Sequence, residues 1–92
     1  MPTPLSPTER TDFLVEHPNW TLDGETISRT FVFADFGAAM GFVTNVAIAA
    51  ERADHHPDID IRWNKVTLAL STHSAGALTD KDALLATEVE GF

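Results

Sequence analysis

Ninety-two residues, 43% of them hydrophobic and 22% charged, fit one soluble globular domain over residues 1–92 and exclude both a disordered chain and a second core. Six basic against fourteen acidic side chains set the formal charge at −8, which repels a phosphate backbone and argues against direct nucleic-acid binding. The absence of cysteine removes disulfide and thiolate chemistry.

The opening "MPTPLSPTER" has neither the basic start nor the apolar core of a secretion signal. No apolar run approaches the roughly 18 residues of a membrane span, so a cytoplasmic protein without membrane contact is expected. In "SPTERTDFLVEHP", Ser6 is a good N-cap, Pro7 suits the first helical position and Glu9 stands where a capping box needs it. Pro18 restricts His17 before it, so a short first helix is expected to end near Glu16.

"NWTLDGETISRTFVF" sets Asp23 and Gly24 between two β-prone runs, a pair able to supply the positive φ angles of a tight hairpin. On the second run Ile27, Arg29, Phe31 and Phe33 share one parity, which predicts a half-buried strand whose apolar face Arg29 interrupts. Asp35 then caps a second helix, "FGAAMGFVTNVAIAAERAD", uncharged until Glu51. Phe36, Met40 and Val43 point one way, while Ala39, Phe42, Val46 and Ile48 spread apolar surface around the circumference. One sheet covers only one side of such a helix, so its remaining face is expected to meet another subunit; the alternative is that its alanines simply tolerate water.

"DIDIRWNKVTLALST" alternates Ile59, Ile61 and Trp63 with Asp60 and Arg62, then turns near Asn64 and Lys65 into Val66, Leu68 and Leu70, a second hairpin. Thr79 caps a third helix, "DKDALLATEVEGF", with Leu84 and Leu85 available for packing. The order helix, hairpin, helix, hairpin, helix predicts an α+β fold: a four-stranded antiparallel sheet with three helices packed on one face.

His55 and His56 fall at the junction of the second helix and third strand, where Pro57 forces extended backbone. Neighbours in an extended segment point apart, so the two rings can stand on either side of a small ligand. Antiparallel pairing returns the chain to the same level, bringing His73 close to both. Imidazole exchanges protons near neutral pH, and Glu51 and Asp54 are placed to orient the rings, an arrangement suited to acid and base catalysis.

Other readings accompany each residue. His17 beside Pro18 reads as an ordinary surface histidine, and Asp82, three residues after Thr79, is explained by completing a helix cap. Three histidines and a carboxylate suit zinc, but there is no helical His-x-x-x-His pair and adjacent histidines seldom face one metal. No metal is therefore expected. Without a cysteine or a serine in a nucleophile elbow, covalent catalysis is disfavoured.

Glu51, "DHHP" at Asp54 to Pro57, Trp63, "NKV" at Asn64 to Val66, "STH" at Ser71 to His73, and Asp82 together form a spaced set. With Trp20, the run from Phe31 to Phe36 and "GFVTNVAIAAERADHHP", the sequence resembles the pterin-4a-carbinolamine dehydratases over nearly its whole length. Ala77, where relatives often carry glycine, is one of the few departures.

That resemblance implies a hydro-lyase that converts a 4a-hydroxytetrahydropterin to quinonoid dihydropterin and water during tetrahydrobiopterin recycling. The pterin is then substrate, and no cofactor is implied. By carry-over, His55 and His73 transfer protons, His56 binds and orients the pterin, and Asp82 and Glu51 support the imidazoles. This gives a catalytic set of His55, His56, His73 and Asp82, and a binding set of Glu51, Asp54, His55, His56, Pro57, Trp63, Thr72, His73 and Ser74.

Members also form homodimers through their sheets and some form homotetramers through the long helix. Certain animal relatives double as dimerisation cofactors of a homeodomain transcription factor. A non-catalytic module that assists assembly of a protein partner is therefore the alternative function.

Overall fold

The computed structural model describes residues 2–92. Its elements run α1 (Pro7–Glu16), β1 (Thr21–Asp23), β2 (Thr26–Val32), α2 (Phe36–Ala53), β3 (Asp58–Arg62), β4 (Lys65–Leu70), a 3₁₀ turn at His73–Ala75 and α3 (Asp80–Val89). The sheet is antiparallel throughout in the order β1-β2-β4-β3, so the two hairpins meet along β2 and β4.

Local chemistry sets the boundaries of the helices. The Ser6 hydroxyl accepts the Glu9 N–H at 3.1 Å and Glu9 accepts the Ser6 N–H at 2.9 Å, the reciprocal cap expected of α1. Asp35 accepts the Ala38 N–H at 2.8 Å and starts α2. Asp54, at φ 50°, takes the left-handed conformation that ends α2 and turns the chain toward β3.

Alternation on β2 and β4 sends Ile27, Val66, Leu68 and Leu70 into the core, where they meet Ala39, Phe42, Val46, Ala49 and Ala50 of α2 and Leu85, Ala86 and Val89 of α3. Phe42 lies 4.6 Å from Phe31 and 5.0 Å from Phe33 between ring centroids. Arg29 resolves its position on this inward parity by stacking 4.3 Å above the Phe31 ring and reaching Glu90 at 3.3 Å. Glu90 also receives His17 at 2.6 Å and the Trp20 indole at 3.3 Å, so His17 is a partly buried link between α1 and α3 rather than a free surface histidine.

Three details differ from the sequence reading. The first hairpin turns through Gly24 and Glu25, with Asp23 still paired to Thr26 and only Gly24 at positive φ. The second turns through Trp63 and Asn64, because Arg62 pairs with Lys65; Trp63 leaves the strand alternation and adopts φ 50°. Leu84 stays 70% exposed while Leu85 is buried, since adjacent helical residues point about 100° apart.

The segment before α3 is tied from two directions. Leu5 N–H donates to Leu78 C=O at 3.0 Å, and Thr3 and Asp80 exchange hydrogen bonds of 3.0 Å. Glu25 accepts the Leu78 N–H at 3.1 Å and pairs with Arg10 at 2.6 Å. The hydrogen bond from Arg10, reinforced by the Leu78 amide, holds the Glu25 carboxyl below the usual glutamate range.

A group that binds its proton less readily when folded adds stability above its unfolded pKa and loses that contribution as pH falls through the folded one. Glu25→Gln is therefore expected to lower the melting temperature at neutral pH, with the deficit shrinking below about pH 4. Paired thermal melts of wild type and variant across that range check this; a deficit independent of pH would refute the electrostatic origin.

Candidate active site

The β3–β4 register places Asp58 opposite Ala69, so the residues just before β3 and just after β4 lie side by side. Between them is a depression of about 270 Å³, lined by Asp54 to His56 on one side and Ser71 to Ser74 on the other. His55, His56 and His73 all face it, as strand geometry predicts.

The left-handed turn at Asp54 assigns the adjacent histidines to different environments. Its effect is reinforced by the His55 N–H, which returns to Ala50 C=O at 3.1 Å. His55 is 8% exposed, and its Nε2 lies 2.5 Å from Asp82 Oδ1. His56 points outward, with its Nε2 2.6 Å from Glu51 Oε1. Thus each adjacent ring has its own carboxylate, and in both the Nδ1 atom has no hydrogen-bond partner among the described residues.

Asp82 is wholly buried. Its Oδ2 accepts the Thr79 N–H at 2.9 Å and the Thr72 hydroxyl at 2.9 Å, while Oδ1 faces His55. The helix cap and the contact with His55 therefore use the two edges of one carboxylate. An ionised carboxylate only accepts, so the hydrogen that Oδ1 of an ionised Asp82 receives from His55 is the one on Nε2.

A family model described as Pterin 4 alpha carbinolamine dehydratase matches residues 3–92. The chain belongs to this family. A Chloroflexus aurantiacus member, provisionally named a pterin-4-alpha-carbinolamine dehydratase, is 54% identical over 86 residues covering 94% of this chain and 92% of its own. A Roseiflexus relative of strain RS-1, with the same provisional name, is 52% identical over 90 residues covering 98% of this chain and 97% of its own.

Among solved structures, a transcriptional coactivator/pterin dehydratase from Brucella melitensis superposes with a TM-score of 0.91 at 34% identity, covering 97% of both chains. A pterin dehydratase-like RuBisCO assembly factor of the alpha-carboxysome shares the fold, with a TM-score of 0.64, 18% identity and coverage of 78% of this chain and 83% of that one.

Against the pterin dehydratase pattern, the structure gathers Asp54, His55, His56, Thr72, His73 and Ser74 at the depression, with Asp82 behind His55 and Glu51 behind His56. Pro57 shapes the adjoining backbone. Asp54 supplies the turn rather than orienting a ring, since its carboxylate makes no hydrogen bond to either imidazole. Trp63 is not brought in: it lies at the opposite end of β3, five residues and about 16 Å of extended strand away.

The expectation missed Ser71 on the rim and Thr79 behind the site. Thr79 is visible in sequence only as a helix cap. No three His, Asp or Glu side chains among the described residues converge to hold a metal ion.

Proposed function

We propose that the protein dehydrates a 4a-hydroxytetrahydropterin to the quinonoid dihydropterin. The observation that supports this reading most directly is the meeting of His55, His56 and His73 at one depression with the buried Asp82 carboxylate behind His55. One imidazolium gives a proton to the 4a oxygen, and the C4a–O bond breaks to release water. The N5 lone pair forms the C4a=N5 bond, and a neutral imidazole removes the N5 proton.

His55 and His73 are the proton-transfer pair in this scheme, and His56, steadied by Glu51, orients the ring system. Each positioned acid or base contributes about 10²- to 10⁴-fold. The test is the rate of quinonoid dihydropterin formation from freshly generated 4a-hydroxytetrahydropterin, beside a His55→Ala/His73→Ala double variant. Acceleration by wild type alone is expected; no acceleration by wild type would overturn the assignment.

A role in protein assembly is the second reading, favoured by the outer face of α2. Val43, Thr44, Ala47 and Ile48 form a nearly wholly apolar groove there, and Ile48 is 55% exposed. Self-association through this face buries it, in keeping with the subunit contact expected from the sequence. Ile48→Asp should then lower the mass measured by light scattering; an unchanged mass would place the contact elsewhere.

A further inference from the structure

We infer that Thr72 and Thr79 form a directional two-hydroxyl relay that positions Asp82 and thereby fixes the proton of His55 on Nε2, leaving Nδ1 for the ligand. Thr72 is among the residues expected to bind substrate, yet its polar atoms are committed within the protein. Its N–H donates to Ala77 C=O at 3.0 Å, and its C=O accepts the N–H groups of Ala75 and Ala77 at 3.1 and 3.4 Å. The side chain is almost completely buried, at 3% exposure for the residue.

A hydroxyl carries one hydrogen, and this limit sets the direction of the chain. Thr72 Oγ1 lies 2.9 Å from Asp82 Oδ2 and 2.6 Å from Thr79 Oγ1. The carboxylate is acceptor only, so the Thr72 hydrogen goes to Asp82 and Thr79 must donate to Thr72. Thr79 Oγ1 in turn accepts the Lys81 N–H at 3.3 Å. The sequence of donors is therefore Lys81 N–H to Thr79, Thr79 to Thr72, and Thr72 to Asp82.

With the Thr79 N–H as a second donor, Oδ2 is fully engaged and Oδ1 is the edge left to receive His55. Rotation of the carboxylate would strand buried donors, each costly to leave unpaired. Thr72 and Thr79 are thus positioning residues, linking the 3₁₀ turn that carries His73 to the helix that carries Asp82. Glu51 beside His56 has no comparable support: its side chain is 77% exposed, so only the His55 tautomer is locked from behind.

The relay deepens the dehydratase reading and rests on it for kinetics, whereas the tautomer is measurable in ligand-free protein. Nitrogen-15 NMR of histidine-labelled protein is expected to show His55 as the Nε2–H form when neutral, with both threonine hydroxyl protons protected from exchange. Thr72→Val removes the donor while keeping the shape. It should mix the His55 tautomers and lower kcat by about tenfold or more with KM changed less than about twofold.

Thr72→Ser should retain the wild-type tautomer and most of the turnover. A wild-type His55 spectrum in Thr72→Val, a serine variant as impaired as the valine one, or freely exchanging hydroxyls in the wild type would each overturn the relay. Should the valine variant not fold, the wild-type hydroxyl protons and the serine variant still decide it. If wild type itself lacks turnover while the tautomer responds as described, the reaction assignment fails and the relay stands.

Discussion

Asp82→Asn is expected to abolish most turnover and also to destabilise the fold, a combination that few substitutions at an enzyme surface produce. Asparagine brings an N–H₂ group where the aspartate presents only acceptors. If the amide oxygen replaces Oδ2 and keeps Thr72 and Thr79, the amide nitrogen faces His55 Nε2 and forces its hydrogen to Nδ1. The ligand then meets a donor where the wild type offers an acceptor, and kcat should fall by about 10²- to 10⁴-fold. If the amide turns the other way, two buried donors confront N–H₂.

Losing one or two buried, charge-assisted hydrogen bonds costs about 2–5 kcal/mol in total. At about 4–8 °C per kcal/mol for a domain of this size, the melting temperature should drop by at least about 8 °C. Thermal melts and single-turnover rates on the same preparation check both halves. A variant that melts like wild type would mean that Asp82 is not the shared support described above.

His73→Ala carries the other large effect, but on rate alone. His73 begins the 3₁₀ turn, is exposed, and neither ring nitrogen has a protein partner among the described residues. Its removal therefore leaves no buried group unpaired and should shift the melting temperature by only about a degree or two. Turnover should nevertheless fall by about 10²- to 10⁴-fold, because one of the two proton transfers loses its group. Turnover equal to wild type would remove His73 from the chemistry and leave His55 to perform both transfers or neither.

The difference between these variants follows from burial, which also marks what was legible in the sequence. Capping residues, strand parity and the proline after the histidine pair announced the order of elements, because each acts over a few residues. Convergence of His55, His56 and His73 was legible too, since antiparallel register makes strand ends neighbours. The two-residue turns were each displaced by one position; Asp-Gly chemistry suggests a turn without fixing its centre, and an aromatic in phase with the alternation reads as one more strand residue.

What the sequence could not display was the division of labour among carboxylates. Asp54 is adjacent to His55, but its left-handed backbone turns the chain while the distant Asp82 meets the ring. Likewise a threonine in a "T-H" pair reads as part of a ligand contact, and only packing against Thr79 shows its hydroxyl committed elsewhere. Trp63 belongs to the spaced pattern but stands across the sheet from the histidines, so sequence spacing places it in the family without placing it in this depression.

The closure of residues 3–5 onto 78–80 has a consequence for the order in which the protein is made. As the chain leaves the ribosome, residues 3–5 lack their partners at 78–80 until more than four-fifths of the sequence has been translated. His55 likewise waits for Asp82, so a nascent chain arrested after the 3₁₀ turn would hold the three imidazoles without the buried carboxylate that organises one of them. Folding and assembly of the site are in this respect a single late event, and a chain stalled before α3 would have a sheet to build but no finished histidine–carboxylate pair.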